Sequence, residues 1–462
     1  MVDANVPSTG CTQRDFREPG NATTLTASTS EDCLYMKIAV PMLPRSYATR
    51  GGYPVVLWSH GGGFNVGTGA LYDYDTQCER LISKGVILMQ HNYRVGPLGF
   101  FTTGTPEAPG NYALWDTYNA MKFARKMAAS FGGNPENVVI ALGATPYVPE
   151  VSETMESYLD KNRRFAIGVG CATAAQWGSV QQLADVYMPQ TQGRIAYWHM
   201  VVDGPGGLWP VSLDELATLA PNVPVLTGSN DDEYSWQLIV RSVLGPSRSR
   251  ELDLDRVNSP NIIRETCEAQ YREANFPTRY RRAQQDCAST YNALAQLSDS
   301  PNRYLEQAIK IGSTTLYHGP VFRDVGRYLQ NGNPNVYLYS FDYVREQSDP
   351  WWRAVGTFHN FDLAFIENFL VDDPSSPLYF DTRAGRDGQM TTIWSEVLTS
   401  FAKYGQPMLP APFCNNVTWS PVSTGDGSGY MSLDVPPQMM LYYHPEEMSF
   451  WFQNLEPIRA TS

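Results

Sequence analysis

The 462-residue sequence contains no Cys-x-x-Cys pair. Its seven cysteines (Cys11, Cys33, Cys78, Cys171, Cys267, Cys287 and Cys414) show no zinc-ligand spacing, so no metal site and no cofactor is expected. No run of about 18 consecutive apolar residues occurs, which excludes a transmembrane helix. Positive charge is scarce. The 34 Lys and Arg residues face 47 Asp and Glu, leaving a net charge of −13 without the basic footprint of a nucleic-acid binder. Internal repeats, low-complexity tracts and long charge runs are absent too. Met1 to Gly10 has neither a basic nor an apolar segment, so no secretory signal is read there. The polar end, Ile458 to Ser462, excludes a lipid-anchor tail.

With 42% apolar and 12% aromatic residues, the chain has the composition of a globular protein with a deep core. Two glycosylation sequons stand at Asn21-Ala22-Thr23 and Asn416-Val417-Thr418, and these act only in a secretory compartment. Cys11 with Cys33, and Cys267 with Cys287, would each close a loop of about 20 residues, worth roughly 3 kcal/mol if oxidised. The expectation is an extracellular or secretory-pathway protein whose full-length parent begins further upstream.

Short apolar runs alternate with helical stretches. Leu34–Val40, Pro54–Trp58, Val86–Gln90, Val138–Leu142, Met200–Asp203, Val223–Thr227 and Val336–Phe341 read as strands. Helices are read from about Ala113 to Ser130 and over Thr391–Tyr404. This alternation predicts one α/β domain over residues 1–462, with a mostly parallel sheet flanked by helices and its site in loops at the strand ends. One junction breaks the rhythm. After the strand at 138–142 comes Pro146-Tyr147-Val148-Pro149-Glu150, whose prolines cannot occupy a helix interior.

Trp58-Ser59-His60-Gly61-Gly62-Gly63-Phe64 follows a strand directly, and three glycines let backbone N–H groups approach a developing oxyanion. With Ser30-Glu31-Asp32-Cys33-Leu34-Tyr35-Met36, Asn92-Tyr93-Arg94-Val95-Gly96-Pro97-Leu98-Gly99-Phe100, Gly110–Asp116 and Phe131–Pro135, it resembles the type-B carboxylesterase and cholinesterase family of α/β-hydrolases. The likeness extends through Val201–Gly204, Gly228–Glu233, Tyr337–Tyr343 and Phe401–Pro407. It implies an α/β-hydrolase fold, and it supports the Cys11–Cys33 pairing, which falls where the family has its first disulfide. It also implies that several dozen residues of the family precede the segment containing Cys11.

The family hydrolyses carboxylic esters with a serine in G-x-S-x-G, followed in chain order by an acid and a histidine. The resemblance assigns the acid to Glu233, the base to His359 in Gly356–Asp362, and the oxyanion donors to Gly62 and Gly63. His60, His91, His199, His318 and His444 lack such support and are read as structural. Trp351 and Trp352 could line a pocket, but packing is the commoner fate of such residues.

No G-x-S-x-G exists in the chain. The nucleophile position reads Gly143-Ala144-Thr145-Pro146-Tyr147. Thr145 offers a hydroxyl in register but is not expected to act. A β-branched residue tolerates the strained elbow poorly, and a residue before proline is pushed to extended geometry. Pro146 also has no N–H to give an oxyanion. The simplest account is the loss of a few dozen residues between about 144 and 153, carrying the serine and its buried helix, as an omitted exon would cause.

The expected reading is therefore an inactive, truncated or mis-spliced carboxylic ester hydrolase, incomplete around its nucleophile elbow. Small carboxylic esters would be the parent's substrates, with no nucleic-acid partner. The rival is a non-catalytic adhesion or ligand-binding module with a protein partner. Divergence into such a module would be expected to spare the buried helix and gives no reason to keep Glu233 and His359.

Overall fold

The computed structural model describes residues 9–13, 29–69, 72–141, 143, 152–153, 155–168, 198–204, 206–240, 258–272, 279–345, 350–367, 378–413, 417–423 and 429–452. The chain divides into two compact units, one built mainly from residues 1–146, 150–220 and 398–404, the other from 221–397 and 405–462. Thr145, Pro146, Tyr147, Asn21, Asn416, Cys171 and Cys414 lie outside the described residues.

In the first unit the apolar runs become β1 (Met36–Ala39), β2 (Tyr53–Ser59), β3 (Ile87–His91) and β4 (Gly133–Ala141). They form a sheet ordered β1-β3-β2-β4. β3, β2 and β4 run parallel and β1 antiparallel to β3. Val55 and Leu57 point from one side of β2 into a cluster with Ile87, Met89, Ala124 and Ala128. The alanines belong to α1 (Tyr112–Met127) and its short continuation, and their small side chains let the helix lie close to the sheet. Gly132, at φ 80°, ends this helix in the left-handed conformation that glycine adopts without strain. The expected strand at 138–142 begins five residues early, at Gly133, whose pairing with Tyr53 is separated from the rest by a register shift. Met200–Val201 is shorter than expected and pairs with Ser152–Glu153.

In the second unit β5 (Val225–Asn230), β6 (Val336–Phe341), β7 (Tyr430–Leu433) and β8 (Gln438–Met440) form a sheet ordered β8-β7-β6-β5. The first three are parallel and β8 is antiparallel to β7. β6 is apolar on both faces because both are covered. Val336 and Leu338 pack with Val321 and Val325 of α5 (Gly319–Gln330), whereas Tyr339 and Phe341 meet Trp394 of α6 (Gly385–Tyr404) on the other side. Three further helices, α2 (Pro260–Gln270), α3 (Tyr280–Leu297) and α4 (Arg303–Ser313), pack around Ile263, Tyr271, Tyr291 and Ile311. Parallel strands with helices on both faces are the architecture expected of an α/β-hydrolase.

Both expected disulfides are present. Cys11–Cys33 joins Cα atoms 4.8 Å apart, and Cys267–Cys287 ties α2 to α3 with Cα atoms 6.0 Å apart. Cys78 is free. Replacing Cys267 and Cys287 by serine should cost about 3 kcal/mol, the chain-entropy value for a loop of this length. Denaturant unfolding checks this, and an unchanged midpoint would show that the link adds no stability. Among the described residues no helix is long and apolar enough to cross a membrane, and no cluster of His, Cys, Asp and Glu is placed to hold a metal.

Candidate active site

The glycine-rich loop of the first unit leaves the end of β2 at Ser59. Gly62, Gly63 and Gly67 all have positive φ, at 122°, 57° and 123°, and Phe64 joins them at 64°. A Cβ at Gly62 would overlap the Val66 carbonyl, which itself lies on a loop folded back so that Asn65 and Val66 donate to Gly62 O. The loop thus needs glycine for close approach of backbone to backbone. Among the described residues neither Gly62 nor Gly63 donates its N–H, and both are exposed.

The loop is held from below. His60 stacks on Tyr93 with ring centroids 4.2 Å apart, and the Tyr93 hydroxyl donates to His60 O at 2.8 Å. Burial pushes the His60 imidazole down to about 4, so it sits neutral against the ring. Gln13 pairs with Gly67 through both its amide atoms. Neighbouring motif residues serve the same scaffold. Arg94 makes a two-pronged ion pair with Asp116 of α1, each arm 2.7 Å, and Asn111 exchanges hydrogen bonds with the backbone of Val201. These residues of the sequence signature hold backbone segments in place.

In the second unit two loops meet, one following β5 and one at residues 356–362. His359 Nδ1 lies 2.7 Å from Glu233 Oε2, and Asn230 N–H donates to Glu233 Oε1 at 2.9 Å. Glu233 is 6% exposed, while 29% of the His359 side chain remains accessible. Burial works to lower the His359 pKa, but the charge and hydrogen bond of Glu233 together outweigh it and the net shift is upward. With Nδ1–H directed at the carboxylate, Nε2 is the basic nitrogen, as in an acid–histidine pair that accepts a nucleophile's proton.

Beside this pair the loops are stitched twice more. Asp232 and Thr357 exchange backbone-to-side-chain hydrogen bonds, each 3.2 Å. Asn230 Nδ2 donates to Phe358 O at 2.8 Å and to Asp362 Oδ1 at 3.3 Å. Burial and then the Glu233 charge push the Asp362 carboxyl up to about 6. Gly356, at φ 59°, is required here because a Cβ would overlap the Asp232 carboxylate.

The five histidines read as structural are all buried. His91 meets Ser59 Oγ at 2.6 Å, and His199 lies edge-on to Tyr158. His318 and His444 stack 3.9 Å apart. Trp352 is buried against Phe361 and Phe380, so it packs. The side chain of Trp351 lies outside the described part of the structure. Reading the sequence missed Asn230, the Asp232–Thr357 exchange and Asp362. The single signal available was their place next to Glu233 and His359.

The chain matches the sequence model of the Carboxylesterase family over residues 1–144 and 153–451. It is 25% identical to Gut esterase 1 of Caenorhabditis briggsae over 476 positions, covering 91% of this chain and 79% of that protein. Acetylcholinesterase of Electrophorus electricus is 26% identical over 436 positions, 82% of this chain and 67% of the relative. Bile salt-activated lipase of Bos taurus is 40% identical over a shorter 116 positions, 24% of this chain and 19% of that protein. Since 91% of 462 residues is about 420, about 56 of the 476 positions aligned with the nematode esterase have no counterpart in this chain. The family match itself breaks where the sequence after β4 turns proline-rich.

Proposed function

The chain belongs to the carboxylesterase family, and on that premise we propose that it is a carboxylic ester hydrolase that has lost its nucleophile. In the parent reaction a serine hydroxyl attacks the ester carbonyl as His359 takes its proton. Glu233 holds the imidazole and stabilises its charge, and the N–H groups of Gly62 and Gly63 receive the oxyanion. The alcohol leaves with the proton from His359, and water then releases the acid by the same path. Small carboxylic esters are the substrates of this parent. Its setting is the secretory pathway, in keeping with two disulfides and two sequons. Asn21 and Asn416 would carry glycans there.

One observation carries the reading. The hydrogen-bonded Glu233–His359 pair is intact, while the sequence contains no G-x-S-x-G and the family match is interrupted between residues 144 and 153. A binding module that never needed acyl transfer has no use for a carboxylate aimed at a histidine nitrogen. Comparing the transcript with genomic DNA across the codons for Gly143 to Glu153 tests the proposal. An intervening exon encoding G-x-S-x-G and a following helix is the expected result. A contiguous genomic reading frame without it would favour the non-catalytic module and a protein partner.

A further inference from the structure

Asn230 is the last residue of β5, paired in register with Phe341 of β6 and 2% exposed. Three of its hydrogen bonds run to the Glu233–His359 pair or the residues beside it, and a fourth holds its carbonyl. Its backbone N–H donates to Glu233 Oε1 at 2.9 Å. Its side-chain Nδ2 donates to Phe358 O, one residue before His359, and to Asp362 Oδ1, three residues after it. Its carbonyl accepts from His318 Nε2 at 3.0 Å.

We propose that Asn230 is the positioning residue that sets the register of Glu233 against His359, by anchoring both of their loops to the end of one strand. The geometry requires an anchor of this kind. The two loops are 126 residues apart in sequence, and the bonds that join them directly, Glu233 to His359, Asp232 to Thr357 and His359 N–H to Glu233 O, do not tie either loop to the sheet. The strand end is the rigid point, because β5 and β6 pair continuously from Val225–Val336 to Asn230–Phe341. From that point the backbone N–H fixes one carboxylate oxygen of Glu233, leaving the other for the imidazole. The side-chain amide meanwhile fixes the main chain next to His359. A side chain with two N–H donors suits the task, since it reaches the Phe358 carbonyl and the Asp362 carboxylate together. The His318 imidazole holds the Asn230 peptide from the far side. A purely structural asparagine would fill the cavity and satisfy Phe358 O, with no effect on the electrostatics of the pair.

The proposal rests on reading Glu233 and His359 as acid and base, and the test separates the two. In the full 462-residue chain, the His359 imidazole is followed by NMR against pH and identified by its loss in His359→Gln. The unaltered chain should show a far-downfield Nδ1–H resonance and a raised His359 pKa. Asn230→Ala, and Asn230→Leu which keeps the volume without donors, should both lose the downfield resonance and lower the His359 pKa, with near-ultraviolet circular dichroism unchanged. Either folded variant that keeps the resonance and the titration while only its melting temperature falls overturns the proposal. Glu233→Gln is the control. If it leaves the His359 titration unchanged, the acid–base reading itself fails; if it alters the titration and the Asn230 variants do not, the positioning role fails.

Discussion

The purified 462-residue chain is expected to hydrolyse p-nitrophenyl esters no faster than buffer and to take no label from a fluorophosphonate. Thr145→Ser should not restore activity. The obstacle is geometric and does not lie in the acidity of a secondary alcohol. Pro146 has no N–H to give the oxyanion, and removal of one such donor costs about 10²–10³ in rate. The proline also pushes residue 145 toward extended backbone, away from the strained turn that exposes a nucleophile. Loss of nucleophile geometry costs more, up to about 10⁶ where the serine itself is removed. A whole G-x-S-x-G segment with its following helix should therefore be needed. Inserting one should yield turnover that disappears again with His359→Gln. Rapid turnover by the unmodified chain, abolished by Thr145→Val, would sink the account.

The second large effect is on stability against pH. His318 and His444 lie stacked and buried, and burial first, then the proximity of His444, holds His318 down at about 4; burial holds His444 there too. Asp231 and Glu447 oppose these shifts for the pair, while Lys310 adds to the lowering at His444. The unfolded imidazoles take up protons near 6.5, so each folded histidine loses stability as pH falls from about 6.5 to 4, by at most about 1.4 kcal/mol per pH unit. Asp342 works against them. Burial and the Asp231 charge push it up to about 7, so its contribution grows as pH falls through the same window. Asp362, held up at about 6, and Asp231, Asp232 and Asp387, also raised, act in the same sense as Asp342, so the informative quantity is a difference. Replacing both His318 and His444 by phenylalanine should remove a loss of stability toward acid, so that variant and native slopes differ by up to about 3 kcal/mol per pH unit between 6.5 and 4, the variant gaining relative to native as pH falls. Urea unfolding at several pH values measures it. Parallel profiles for native and variant would show that the pair does not titrate in this way.

Much of the fold was legible because its strands are short apolar runs bounded by glycine and proline. β6 was read to the residue. The helices α2 to α5 were not, and for α3 the core face explains why. α3 buries Ala283, Cys287, Tyr291 and Ala295 at a spacing of four, a regular stripe built from small, sulfur and half-polar side chains that hydropathy scarcely registers. β7 and β8 were missed for a related reason, since Tyr430–Leu433 and Gln438–Met440 carry few β-branched residues. At the candidate site, Glu233, His359 and the glycines could be named from motif order. Asn230 and Asp232 could not be given their roles, because a hydrogen bond between residues 125 to 132 apart depends on how two loops are brought together.

That separation has a consequence in time. Asp232 and Glu233 leave the ribosome about 125 residues before Thr357 and His359, and Glu233 and Thr357 are buried in the finished protein. Until β6 has docked beside β5, the acid loop has no cation, amide or hydroxyl from the later segment to answer its charges. The Glu233–His359 contact accordingly cannot form before residue 359 has been made, and it bears the cost of closing a loop of 126 residues. Any chain ending before Gly356 would leave Asp232 without the Thr357 N–H and Glu233 without the imidazole, so that the Asn230 N–H and water would be left to satisfy the Glu233 carboxylate.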